Sequence, residues 1–313
     1  MTVNTTGLMC NTYGKPACTK CVPCMIIIFF ITLFILVGTI FNFAVLISTK
    51  KLHNNTGCFL VNLALTDLGV GFVCLTTSLP YSLSGVYPAS TQSVQVHGFF
   101  AQLFCAVSIL TLGTVSFDRY MALSRPFHYL EIMSASRCMM INAANWLVNA
   151  LILTTPFYGF GEYYYKPSTF ASHFNFPMNY HIVLYSFGLQ IIPGMILIIF
   201  SYYKIHKITR RHVHDISIIT RHGGKPVKIG GGKAIKTIAV TVVMFFTCWL
   251  PFTIQQTILS FIGHNTTPMI FDFALTWLAI SNSFMNCIIY SLTHRDYREG
   301  AKKLIRRVSI FKT

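Results

Sequence analysis

The chain has 313 residues, of which 53% are hydrophobic and 10% charged, and its formal net charge is +16. A soluble domain carries about 25% charged residues, so this chain has too little polar surface to cover a water-soluble particle. That excludes a cytosolic enzyme, a disordered chain and a secreted disulfide scaffold, and leaves a membrane protein built from packed spans.

Residues 1–24 precede the first span and carry Cys10, Cys18, Cys21 and Cys24. Local disulfides suit this cluster better than a metal, because no histidine lies nearby and the segment reads as extracellular. The other six cysteines lie in or beside apolar segments, where a thiol acts as a small core group. Nothing before Met25 has the basic start and short apolar core of a cleavable signal. Seven apolar segments follow, at roughly 25–49, 57–83, 95–123, 138–158, 181–205, 234–262 and 269–292. Each exceeds the ~20 residues that cross ~30 Å of hydrocarbon. Backbone in lipid must satisfy its own hydrogen bonds, so each is expected to be a helix.

Seven spans put the two ends on opposite sides, and the charge chooses between them. Of the 24 Lys and Arg residues, Lys15, Lys20 and Lys166 fall on one side and the other 21 fall on the other. The basic side is expected to be cytoplasmic and the N-terminus outside. This sidedness also explains the net charge without nucleic acid. The sequons at Asn4 and Asn265 then fall outside, as glycosylation requires, although Asn54 matches equally well on the inside. The basic, glycine-containing stretch 206–233 reads as a flexible linker. After the seventh span, Tyr297, Ala301, Leu304, Ile305 and Val308 recur at helical spacing among basic residues, which suits a helix lying on the lipid of the inner leaflet. The expected organisation is an extracellular N-terminus (1–24), a seven-helix transmembrane domain (25–293), and an amphipathic helix with a short tail (294–313). The fold class is an all-α membrane protein.

Polar residues inside spans are costly and mark function. Asn42, Asn62, Asp67, Ser108, Asp118, Arg119, Asn282, Ser283 and Asn286 are the main ones, with prolines at Pro80, Pro156, Pro193 and Pro251. Set out in order, these residues carry a resemblance. Asn42 with Val45, Asn62-Leu63-Ala64 with Asp67, Asp118-Arg119-Tyr120, Trp146, Pro193, Phe245 with Cys248-Trp249-Leu250-Pro251, and Asn286-Cys287-Ile288-Ile289-Tyr290 resemble the rhodopsin-like (class A) G-protein-coupled receptors. Cys287 stands where that family usually has proline. The run Thr276 to Leu292 resembles a small group of orphan receptors thought to act through the stimulatory G protein.

The resemblance implies roles. Asp67, Ser108, Asn282, Ser283 and Asn286 would converge to hold a sodium ion as an allosteric modulator, the alternative being a hydrogen-bonded seam without an ion. Asp118, Arg119, Tyr120, Phe245, Trp249, Pro251, Asn286 and Tyr290 would form the activation switch, with Arg119 turning from Asp118 toward a heterotrimeric G protein; the alternative is a structural ion pair. Phe127 would insert into the G protein. The acidic partner that relatives carry at the base of helix six would fall at Gly231, so that clamp is missing and basal activity is expected. The helix-five tyrosine that usually meets Tyr290 is replaced by Ser201.

For a ligand, the family position that pairs amines is Ala101, and the position that bears retinal is Ile280, so neither a biogenic amine nor retinal is expected. The family's loop-two disulfide is missing at both ends. The expected pocket is His97, Gln102, Cys105, Tyr185, Phe252, Gln256, Thr276 and Trp277: neutral, aromatic and suited to an uncharged or lipid-like ligand. The aromatic second extracellular loop could fold inward as a tethered ligand, or serve as an apolar lid or lipid-facing surface. The whole reads as a plasma-membrane receptor without enzymatic chemistry. The alternatives are a seven-helix binding protein that does not signal and, further off, a transporter.

Overall fold

A computed structural model describes residues 21–84, 90–175, 188, 191–221, 232–262, 267–293 and 295–310. Its long helices are α1 (Val22–Ser48), α2 (Asn55–Ser84), α3 (Thr91–Ser124), α4 (Ala135–Leu153), α5 (Ile192–Arg221), α6 (Gly232–Ile262) and α7 (Met269–Thr293), followed by α8 (Arg295–Ile310). Six of them, α1 to α4, α6 and α7, are long and apolar enough to cross a membrane. Polar residues set several starts: the side chains of Asn54, Ser90 and Ser134 accept hydrogen bonds from the backbone N–H groups of Gly57, Ser93 and Arg137. α1 opens with proline in its first turn, and a disulfide joins Cys21 to Cys24 across that turn. In α2, Pro80 has no N–H to offer, and the helix loosens into a π-turn over Cys74–Ser78 just before it.

α3 runs through the middle of the bundle and packs against α2, α4 and α5. A Cβ at Gly194 of α5 would meet Ile109 Cγ2 of α3 at 2.8 Å, so glycine there permits the close approach. One apolar core joins Val45, Leu63, Ile109, Leu112, Ile198, Phe245 and Tyr290. A second joins Ile28, Ile35, Val70, Phe273 and Trp277 to Phe170 of the loop after α4. Phe34, Val37, Phe72, Leu147 and Leu151 point outward and stay exposed, as side chains against lipid do.

Two features differ from the sequence reading. The stretch 206–221 is not linker: α5 continues through it to Arg221. No glycine or proline interrupts the chain from Met195 to His222, so rising charge ends the apolar run without ending the helix. The all-α bundle also carries a short strand pair that was not expected. The loop after α4 forms an antiparallel hairpin, β1 (Tyr163–Lys166) with β2 (Ala171–Phe174), in which Tyr163 faces Phe174 and Lys166 faces Ala171. α8 lies against the start of the bundle: Tyr297 and Ala301 are buried, and Lys51 reaches Glu299 at 3.5 Å and Asp296 at 3.9 Å. Arg298, Lys302, Lys303 and Arg307 remain exposed along it.

Candidate functional site

At the C-terminal end of α3, Asp118 is fully buried and its two oxygens are both occupied. Thr56 donates to Oδ2 at 2.6 Å and Tyr129 donates to Oδ1 at 2.7 Å. Arg119 Nη2 lies 3.6 Å from Oδ2, so the adjacent guanidinium is held at this end of the helix. Tyr120 packs edge-on against Phe200 of α5. Tyr129 sits on a helical turn, Tyr129–Ile132, just after Phe127, whose side chain is 94% exposed. Burial, followed by the bond to Asp118, pushes the Tyr129 phenol up to about 12.

Midway along the bundle, Asp67 is fully buried. It accepts a hydrogen bond from Asn286 Nδ2 at 2.9 Å, a long one from Ser108 Oγ at 3.5 Å, and one from Ser283. Asn282 is buried beside them. Among the described residues no cation pairs with Asp67. A lone buried carboxylate beside the hydroxyls of Ser108 and Ser283 offers oxygen ligands of the kind a hard monovalent cation takes.

Toward the other end, the hairpin descends between α3, α6 and α7. Trp277 Nε1 donates to Thr169 O at 2.9 Å, and Phe170, in the left-handed region at φ 55°, packs edge-on against Phe273. Lys166 Nζ meets Asp272 Oδ1 at 2.7 Å, and both side chains are buried. Ser168 Oγ donates to the other oxygen of Asp272, and Gln255 Nε2 donates to Oδ1 at 3.0 Å. His173 lies 2.8 Å from Thr169 Oγ1 and its ring faces Phe252, which in turn meets Trp249 edge-on. His173 is on the loop, outside the spans; burial first, and the Lys166 ammonium second, push it down to about 3 against the pull of Asp272. Beneath the hairpin a cavity of about 40 Å³ remains, lined by Val70, Cys74, His97, Cys105, Ser172 and Ile280. His97 Nδ1 and Ser172 Oγ are buried there without hydrogen-bond partners.

Comparison with known sequences bears directly on this arrangement. The family described as "7 transmembrane receptor (rhodopsin family)" matches residues 38–290. The chain belongs to that family. "Probable G-protein coupled receptor 21" of Homo sapiens is 28% identical over 293 residues, covering 91% of this chain and 83% of that protein. "G-protein coupled receptor 52" of Mus musculus is 29% identical over 297 residues, covering 91% and 81%. The crystal structure of squid rhodopsin superposes with a TM-score of 0.82 at 19% identity, covering 97% of this chain and 92% of that one, which establishes the shared seven-helix bundle. This rhodopsin-family receptor is therefore a multi-pass plasma-membrane protein that couples to a heterotrimeric G protein and is not an enzyme.

The receptor also carries charge near the residues that the sequence suggested for a pocket. Asp272 and Lys166 form a buried ion pair beside Gln255, and neither residue was singled out from the sequence. The signal was present: Lys166 is the sole Lys or Arg between Arg137 and Lys204, and Asp272 the sole acid between Asp215 and Asp296. Isolated charges of opposite sign at one end of a bundle are candidates for each other. Of the expected pocket residues, Trp277 and Phe252 touch the hairpin, His97 and Cys105 line the cavity, and Thr276 and Gln256 are buried. Gln102 is half-buried, and Tyr185 lies outside the described residues. Asn4, Cys10, Cys18, Gly231 and Asn265 lie outside them as well. In the switch, Phe245 is buried in the core one turn below Trp249, while Trp249 Nε1 and the hydroxyls of Tyr290 and Ser201 have no hydrogen-bond partner. The Tyr290 ring meets Tyr297 of α8 at a tilt of 56°, and Cys287 Sγ lies 3.7 Å from the Tyr297 hydroxyl.

Proposed function

We propose that this receptor acts without an added ligand, its second extracellular loop serving as a tethered activator, and that it raises cyclic AMP through the stimulatory G protein. The supporting observation is the hairpin itself. Its tip hydrogen-bonds to Trp277 through Thr169, and His173 of β2 faces Phe252, so in this reading the hairpin takes the place of a ligand. The cavity beneath it, about 40 Å³, has room for a few waters. Ligand sites typically need ~300 Å³ or more. Phe252 leads on to Trp249, two residues before the helix-six proline, so the hairpin has a packed route to the element that moves on activation. Basal activity also follows if no acid clamps Arg119 from helix six, as the sequence at Gly231 indicates. The choice of the stimulatory type rests on the resemblance of the run Thr276 to Leu292.

In this reading Arg119 is the residue released from Asp118 toward the G protein, and Phe127 the apolar side chain that enters it. Asp67, with the hydroxyls of Ser108 and Ser283 and the side-chain oxygens of Asn282 and Asn286, would hold a sodium ion. The ion would supply positive charge to a buried carboxylate and so favour the resting packing. The basic cytoplasmic side places the N-terminus outside, with glycans at Asn4 and Asn265.

The test is ligand-free cyclic AMP in cells expressing the wild type and Arg119→Ala at matched surface levels. A raised level that falls with the substitution supports the reading. No difference between the two, and none from untransfected cells, removes coupling to the stimulatory type.

A further inference from the structure

The tethered-activator reading leaves open what chemistry the hairpin presents. Asp272 is wholly buried at the start of α7, and its carboxylate is fixed from two sides by neutral donors, Ser168 Oγ and Gln255 Nε2. Lys166 Nζ, at 2.7 Å, is the one cation that reaches it among the described residues. A neutral side-chain oxygen of this small cluster, Gln255 Oε1, is buried and has no hydrogen-bond partner among the described residues. An ammonium has three hydrogens to donate. The cluster thus offers a charged acceptor and a spare neutral one, held in place by groups other than the cation. That is the donor set of a site for a primary ammonium.

We infer that Asp272 and Gln255, with Ser168, form a recognition site for a primary ammonium group, filled in this chain by its own Lys166 and able to take a free alkylammonium when that side chain is cut back. The inference rests on the tethered-activator reading only for its effect on signalling. No amine site was expected because the family position for one falls at Ala101 on α3. The carboxylate instead stands on α7, and its partner comes from the loop.

Truncating Lys166 to alanine deletes three methylenes and the ammonium, so propylammonium replaces the lost atoms. The purified receptor in lipid nanodiscs is compared as wild type, Lys166→Ala, and Lys166→Ala with Asp272→Asn, in propylammonium chloride, 1-propanol and sodium chloride. Lys166→Ala is expected to melt several degrees below wild type and to regain about 2–4 °C. The gain should saturate on the order of a few millimolar propylammonium, a plausible strength for a fragment of four heavy atoms. Propanol should restore nothing, and the double variant should not respond. Lys166→Val keeps part of the stem's packing and leaves the ammonium end of the site open, so it supplies a folded receptor where Lys166→Ala does not, and ethylammonium against ethanol should show the same contrast. Equal effects of the ammonium and its alcohol in the single variants, or an unchanged response in the double variant, overturn the site. Nucleotide exchange on the G protein in the same preparations separates the two claims. Thermal rescue with restored exchange supports both. Thermal rescue without it keeps the ammonium site and overturns the tethered activator.

Discussion

Tyr129 donates its hydroxyl to Asp118 at 2.7 Å, a closer contact than the 3.6 Å that separates Asp118 from Arg119. The carboxylate beside the arginine is therefore also the anchor of the loop between α3 and α4. Tyr129 follows Phe127 by two residues, so this bond fixes the turn that presents Phe127.

Tyr129→Phe should then weaken coupling while leaving the bundle folded. A hydrogen bond to a charged group contributes about 1.5–3 kcal/mol. Part of that appearing in the loop's position corresponds to a fall of several-fold in ligand-free nucleotide exchange. Exchange equal to wild type at equal surface level would show that Tyr129 does not position the loop. The phenol, pushed up to about 12, stays protonated at physiological pH. Its contribution to stability is full below about pH 10 and is lost as pH rises toward 12.

His173 gives the opposite dependence. Its folded value is about 3, against about 6.5 when exposed. Between those values the unfolded chain binds a proton that the folded hairpin refuses. Stability from this residue is complete above pH 6.5 and falls on acidification, with a limiting slope of about 1.4 kcal/mol per pH unit. The melting temperature of the wild type should drop more steeply from pH 7 to pH 5 than that of His173→Asn. Parallel curves would mean that the imidazole is not held neutral.

Gly98 permits α3 to meet the hairpin: a Cβ there would lie 2.7 Å from Tyr163 Cβ. Gly98→Ala should displace β1, with an overpacking cost of about 1–3 kcal/mol, and reduce ligand-free signalling. Gly71→Ala is the control, since its Cβ would meet Ile35 Cγ2 at 2.8 Å, between α1 and α2 and away from the hairpin. It should lower the melting temperature comparably while preserving signal per receptor. If both variants lose signal equally, overpacking in general is responsible and the hairpin is not.

Replacing potassium with sodium at constant ionic strength should raise the melting temperature of the wild type. Asp67→Asn should abolish the difference. A sodium effect that survives the substitution would place the ion elsewhere, and none in the wild type would leave Asp67, Ser108, Ser283 and Asn286 as a hydrogen-bonded seam.

Much of the fold was legible because the bilayer imposes a length and a composition on each span, and both are visible in one sequence. Asn62, Asp67, Asp118 and Asn286 stood out because amides and carboxylates are rare in such segments. The hairpin was not legible. Tyr163 to Phe174 has no Asn-Gly or Asp-Gly turn, and its aromatic residues suit a lid or a lipid surface equally well. Lys166 was read as one charge in an outside loop, since only the tertiary fold brings it to Asp272, 106 residues away. The length of α5 was missed for a related reason: hydropathy reports where lipid ends, while the helix goes on to Arg221.

An activator built into the polypeptide cannot be diluted, cleared or outrun by diffusion. Its local concentration is fixed by the few residues between α4 and the hairpin. If the hairpin is that activator, reversible bonds alone retain it, since no cysteine lies between Tyr158 and His181 to form the family's loop-two disulfide. Dose, for such a protein, is the number of copies at the cell surface. Synthesis, trafficking and removal then become the controls that hormone release supplies elsewhere.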